Sequence, residues 1–117
     1  MDFFKKNNDS LEERLSYSDK LKLKYPDLIP VIIDKRKGDK ILQDIDKKKY
    51  LIPKNLMISD VLFIIRKKIT ISENQAIFIF VNNLLVPMNT TIGEVYNTHK
   101  SEDNFLYFVY TAENTFG

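Results

Sequence analysis

The fold turns on residues 28–69, which read "LIPVIIDKRKGDKILQDIDKKKYLIPKNLMISDVLFIIRKKI". The opening "LIPVIIDK" is dense in β-branched residues and predicts a strand. "KRKGDK", centred on Gly38, predicts a turn. "KKKYLIP" alternates, with Lys49 and Leu51 on one side and Tyr50 and Ile52 on the other, so it reads as a second strand. Pro53 closes it, because a residue without an N–H suits a strand end or a sheet edge. "SDVLFIIRKKI" at 59–69 then predicts a helix. Ser59 is expected to cap it and Asp60 to open it, while Arg66, Lys67 and Lys68 meet the negative end of its dipole. Val61, Leu62, Ile64, Ile65 and Ile69 form its broad apolar face.

Upstream, residues 1–25 read as helical. Ser10 fits an N-cap, with Glu12 and Glu13 in the first turn. Leu11 and Leu15, Tyr17 and Leu21, and Leu21 and Tyr25 are i,i+4 pairs. Pro26 ends the run by pushing Tyr25 out of the α region. A shorter helical piece is expected around Phe3 to Asn7. Downstream, "AIFIFV" at 76–81 lacks alternation, which predicts a central strand buried on both faces. Asn82-Asn83 is turn chemistry, because asparagine tolerates the left-handed conformation. "TIGEVYNTH" reads as a short helix and "NFLYFVY" as a last strand. Helix, helix, strand, strand, helix, strand, helix, strand is the plan of an α+β protein: a ubiquitin-like β-grasp with an N-terminal two-helix extension. The expected division is a helical subdomain at 1–25, a β-grasp core at 28–111 and a flexible tail at 112–117.

At 117 residues the chain is a single domain able to bury roughly two thirds of its unfolded surface. Hydrophobic residues make up 44% and charged residues 29%, an ordinary balance for a soluble globular fold. A net charge of +2 does not by itself imply a nucleic-acid or membrane partner. Positive charge is concentrated in runs at 35–37, 47–49 and 66–68, whose plain reading is solvated lysine guarding strand edges. There is no cysteine, which excludes disulfides, thiolate metal sites and covalent catalysis on a cysteine of this chain. "AIFIFV" is far short of the ~20 apolar residues that span a bilayer, and "MDFFKKNNDS" lacks a signal-peptide core. Any membrane association must come from an attachment.

Catalytic chemistry is hard to find. His99 is the single histidine and sits in a polar stretch, so it reads as a surface residue. Without a second histidine or a cysteine there is no zinc set and no nucleophile–histidine pair. The acidic pairs Glu12-Glu13 and Asp44/Asp46 lie in helix-start and loop contexts. The three glycines, Gly38, Gly93 and Gly117, form no phosphate loop. No catalysis, metal or cofactor is expected of this chain. Gly117 can be read in two ways, as an accident of where the sequence stops or as a handle, since a carboxyl group that must thread narrow enzyme clefts is best carried by a residue with no Cβ.

"KYPDLIPVIIDK" at 24–35, "DKKKYLIP" at 46–53, "IRKKI" at 65–69, "FVNN" at 80–83 and "EDNFLYFVY" at 102–110, ending in aromatic-glycine, occur in this order. The set resembles the autophagy-related ubiquitin-like modifiers, the family of the GABA-receptor-associated protein and microtubule-associated-protein light chain 3. The resemblance runs from Phe3 to Gly117. It implies a protein that is not an enzyme. Its terminal glycine is adenylated by an activating enzyme, carried on cysteines of partner enzymes, and joined to the amine of phosphatidylethanolamine on autophagosomal membranes. A cysteine protease would process or deconjugate it. The chain is then cytoplasmic, and on autophagosome or vesicle membranes once lipidated.

The resemblance further implies docking of cargo receptors through aromatic-x-x-aliphatic peptides. Physically this is strand addition at residues 48–52, with side chains entering two pockets. By motif position the aromatic pocket is Tyr17, Leu21, Pro30, Ile32, Lys49, Leu51 and Phe105. The aliphatic pocket is Tyr50, Ile52, Pro53, Leu56, Val61, Ile64 and Ile65. Lys47, Lys49 and Arg66 form the charged rim. The chain departs from the usual pattern at Tyr17, often acidic in relatives, at Leu28, at Val61 and Leu62, and in "KRKGDKILQ", which is one residue longer.

Two other readings stand beside this one. An unconjugated β-grasp adaptor in vesicle trafficking would bind the same peptides and need no Gly117. An RNA-binding β domain, suggested by the basic runs near Phe78, Phe80 and Tyr107, would show steep salt dependence and ranks below both.

Overall fold

The computed structural model describes residues 10–113, so the helical piece expected around Phe3 to Asn7 and the tail glycine Gly117 lie outside the described residues. The element order is α1 (Leu11–Lys24), β1 (Leu28–Lys35), β2 (Lys49–Pro53), α2 (Ile58–Lys68), β3 (Phe78–Val81), β4 (Leu84–Leu85), α3 (Ile92–His99) and β5 (Leu106–Thr111).

Local chemistry explains most of these boundaries. The Ser10 hydroxyl accepts from the Glu13 N–H (3.1 Å) and the Glu13 carboxylate from the Ser10 N–H (2.9 Å), a reciprocal cap that starts α1. α1 ends at Lys24, one residue before the Tyr25-Pro26 step. Thr91 and Glu94 repeat the same box at the start of α3. Asn82 and Asn83 take φ of +52° and +63°, as a two-residue hairpin loop with right-handed twist requires. That hairpin creates β4, a strand the sequence reading did not contain. The cap assigned to Ser59 is corrected: α2 begins earlier, at Ile58. The Asp60 carboxylate accepts the Met57 N–H at 2.8 Å. The Ile58 and Ser59 N–H groups donate to the carbonyls of Thr90 and Met88, both at 3.0 Å. A neighbouring loop therefore satisfies donors that a serine cap usually serves.

The sheet order is β2-β1-β5-β3-β4, with β1 and β5 parallel and the other neighbours antiparallel. β3 has neighbours on both sides, but the middle position belongs to β5. Ile29, Val31 and Ile33 of β1, Leu106, Phe108 and Tyr110 of β5, and Ile79 and Val81 of β3 form one core with Ile58, Val61 and Ile65 of α2. Val95 and Tyr96 of α3 join them. Pro30 and Ile32 are also buried, on the opposite side of β1 from Val31, where α1 packs. β2 is an edge strand, as Pro53 suggested.

Candidate functional site

The open side of β2 is defined by its register with β1. Ile33 donates its N–H to the Lys48 carbonyl (2.8 Å), and Lys54 donates to Asp27 (3.2 Å). Because inward and outward bonding alternate along an antiparallel strand, positions 48, 50, 52 and 54 face β1. Lys49 and Leu51 therefore turn their N–H and C=O groups outward, and Pro53 ends that outward row. Among the described residues no strand pairs with this edge.

On the α1 side of β2, residues named for the aromatic set lie near one another. Leu51 is registered opposite Pro30 and Lys49 opposite Ile32. The Tyr17 ring lies 6.3 Å from the fully buried Phe105 ring. Lys49 donates its ammonium to the Tyr17 hydroxyl at 2.8 Å and sits 5.3 Å from that ring's centre. Leu21, half-buried, follows Tyr17 by one helical turn.

The aliphatic set divides by depth. Tyr50, Leu56 and Ile64 are half-buried and pack against the core, and Pro53 is exposed at the strand end. Ile52, Val61 and Ile65 are no more than 2% exposed and lie beneath them as core residues. The Tyr50 hydroxyl is buried and has no hydrogen-bond partner among the described residues, and burial raises its pKa. Of the charged rim, Lys47 sits 5.1 Å from the Tyr50 ring centre. Arg66 instead donates to the Gln75 carbonyl at 2.6 Å, bracing the loop after α2.

Two buried carboxylates brace the fold. Asp103, 2% exposed, accepts from Arg14 Nε (3.0 Å), the Tyr107 hydroxyl (2.5 Å) and the Phe105 N–H (2.9 Å), while its carbonyl accepts from Ser18 (2.8 Å). It thereby ties α1 to the β-grasp. Burial, then the hydrogen bond to Asp103 and its charge, raise the pKa of Tyr107. Asp39, 8% exposed in the β1–β2 loop, accepts from the Ile41 and Leu42 N–H groups (both 2.9 Å). It also accepts from the Thr111 hydroxyl (2.9 Å) and the Ala112 N–H (2.7 Å) at the end of β5. Burial alone would raise its pKa, but these donors outweigh it and bring the carboxyl down to about 2.

Residues 13–117 match the family described as autophagy protein Atg8, ubiquitin-like. The chain belongs to the Atg8 family. It is 46% identical over 112 residues to Autophagy-related protein 8a of Arabidopsis thaliana, covering 96% of this chain and 91% of that one. It is 46% identical over 113 residues to Autophagy-related protein 8 of Schizosaccharomyces pombe, covering 96% and 92%. This Atg8-family chain is thus an autophagy-related ubiquitin-like modifier with an α+β fold.

Asp39 and Asp103 escaped the sequence reading, which treated the first as turn chemistry and the second as part of a motif. Each accepts a backbone N–H two residues on, a local turn signature, and that signal was legible. Their longer bonds, to Thr111 and to Arg14, were not.

Proposed function

We propose that the Atg8-family chain is fastened through Gly117 to phosphatidylethanolamine and recruits aromatic-x-x-aliphatic peptides along the edge of β2. The family match, which extends through Gly117, supports the first half. The observation that carries the second is the outward row at Lys49 and Leu51, flanked by the aromatic set on one side and Tyr50, Leu56 and Ile64 on the other.

In the conjugation half, the Gly117 carboxylate attacks ATP at its α-phosphorus and releases pyrophosphate. A partner enzyme's thiolate displaces AMP, and the phosphatidylethanolamine amine displaces the thiol to form an amide. All catalytic groups belong to the partners; this chain supplies an unhindered carbonyl. Two acyl chains, at about 0.8 kcal/mol per buried CH₂, hold such a domain on a bilayer where one chain gives only marginal binding. Among the described residues no helix is long and apolar enough to cross a membrane. Lipidation would place the chain on autophagosomal membranes and leave the unmodified pool in the cytoplasm.

In the docking half, the peptide's backbone continues the β2 ladder and its side chains fall to either side. Burying an aromatic side chain contributes about 4–6 kcal/mol gross, whereas each exposed lysine–acid pair contributes about 0–1 kcal/mol. The apolar sets fix affinity; Lys47 and Lys49 fix orientation and rate.

The test is reconstitution with the family's activating and conjugating enzymes, ATP and phosphatidylethanolamine liposomes. The parent should gain the lipid and Gly117→Ala should not. Equal lipidation of both overturns the conjugation half. Full cellular activity without Gly117 would instead favour the unconjugated adaptor.

A further inference from the structure

The β1–β2 loop reaches across the sheet and grips the end of β5. Gly38, at φ +90°, turns the chain so that Asp39 points inward. Leu42 and Ile45 anchor the loop in the core at 5% and 2% exposure. Tyr110 donates its hydroxyl to the Gln43 carbonyl (2.6 Å), and the Arg36 N–H donates to the Tyr110 carbonyl (2.9 Å). Asp39 then holds Thr111 and Ala112 by the two bonds described above. Arg36 pairs with Glu113 at 3.1 Å, and the Glu113 N–H donates to the Thr111 hydroxyl at 3.2 Å. Every residue from Tyr110 to Glu113 is thus fastened directly or through a neighbour, and residues 114–117 separate this point from the proposed attachment at Gly117.

We infer that this loop meters the tail: Asp39, supported by Arg36, sets the point from which Gly117 must reach the active sites of its conjugation enzymes. The inference rests on conjugation through Gly117. Four extended residues span at most ~14 Å. A reaction whose rate depends on ångström placement of the carbonyl will be sensitive to that limit. Thr111 is paired with Phe78 of β3 as well, so it stays in the sheet when the clamp opens. Release therefore adds two residues to the tail, Ala112 and Glu113, and no more.

That count makes a sharp test. Deleting Asn114 and Thr115 keeps the aromatic-glycine end but halves the chain beyond the clamp. Lipidation by the family's purified enzymes on phosphatidylethanolamine vesicles should slow by about tenfold or more. Combining the deletion with Asp39→Asn and Glu113→Gln returns four residues beyond the last fixed position. An asparagine amide placed against the Ala112 N–H sets donor against donor, which opens that bond while leaving the acceptor for Ile41 and Leu42. This combined variant should recover to within about threefold of the parent. Thr111→Val, which removes the hydroxyl alone, should rescue in the same direction but less.

Amide exchange is followed in parallel. Ala112 should lose more protection in the release variant than Ile33 and Phe108, whose exchange follows only the global loss of stability. Unchanged Ala112 exchange overturns the clamp. Faster Ala112 exchange without rescue overturns the metering, since a merely structural loop gives no reason for a destabilised variant to outperform the shortened chain. A parent that is itself not lipidated overturns the conjugation reading and the metering with it, while the exchange result still decides the clamp.

Discussion

Replacing Asp103 with asparagine should unpin α1 from the β-grasp. The isosteric amide can still accept the Phe105 N–H, but it turns an NH₂ toward Arg14 and Tyr107, both of which now donate to one carboxylate oxygen. Hydrogen bonds to a charged partner contribute about 1.5–3 kcal/mol each. The Arg14 side chain is 27% exposed, so water recovers part of its loss, whereas the Asp103 side chain is 3% exposed. The expected destabilisation is about 2–3 kcal/mol, a large share of the ~5–15 kcal/mol that holds a domain together. With a urea slope of about 1–3 kcal/mol/M, the unfolding midpoint should fall by about 1–2 M. The effect should also be local. Tyr17 lies between Arg14 and Ser18, both bonded to Asp103, so amides of α1 should lose more exchange protection than those of β1. A loss below about 0.5 kcal/mol, or protection falling equally in α1 and β1, would refute this reasoning.

Leu51→Ala removes apolar surface from the proposed docking edge and should weaken an aromatic-x-x-aliphatic peptide by about tenfold in calorimetry, equivalent to about 1.4 kcal/mol. Its thermal midpoint should move little, because Leu51 is only half-buried. Asp39 titrates at about 2 in the folded chain against an ordinary 3.8. A depressed folded value means its contribution is complete above pH ~4 and disappears as pH falls toward 2. At 1.36 kcal/mol per unit it amounts to about 2 kcal/mol. Parent and Asp39→Asn should therefore differ by that much in urea unfolding at pH 7 and converge near pH 2. Asn83→Gly should stabilise the β3–β4 hairpin by about 0.5 kcal/mol in thermal unfolding, since glycine takes the left-handed position without a Cβ penalty.

Much of the fold was legible because local and long-range preferences agree. "LIPVIIDK" becomes β1 over the same eight residues, and Pro26 and Ser10 bound α1 as their backbone chemistry demands. What the residues hid depends on distant partners. β4 is two exposed leucines with no alternation to read, and it exists because Asn82 and Asn83 fold it back on β3. Ser59 lost its capping role because the loop at 88–90 supplies carbonyl partners for the start of α2. The segment between β1 and β2 read as a charged turn, yet Leu42, Ile45 and Asp39 bury themselves under it. At the candidate site, the motif positions fall along an edge strand, but depth was invisible. Alternation set Leu51 and Ile52 on opposite sides of β2, but it did not say that Ile52 is core and Leu51 only half-buried.

The central proposal is that this β-grasp body is held on membranes by lipid joined to Gly117. Tandem mass spectrometry of the intact membrane-bound pool tests it most directly. The account predicts phosphatidylethanolamine in amide linkage on Gly117; membrane-held protein whose terminal carboxyl is unmodified would contradict it.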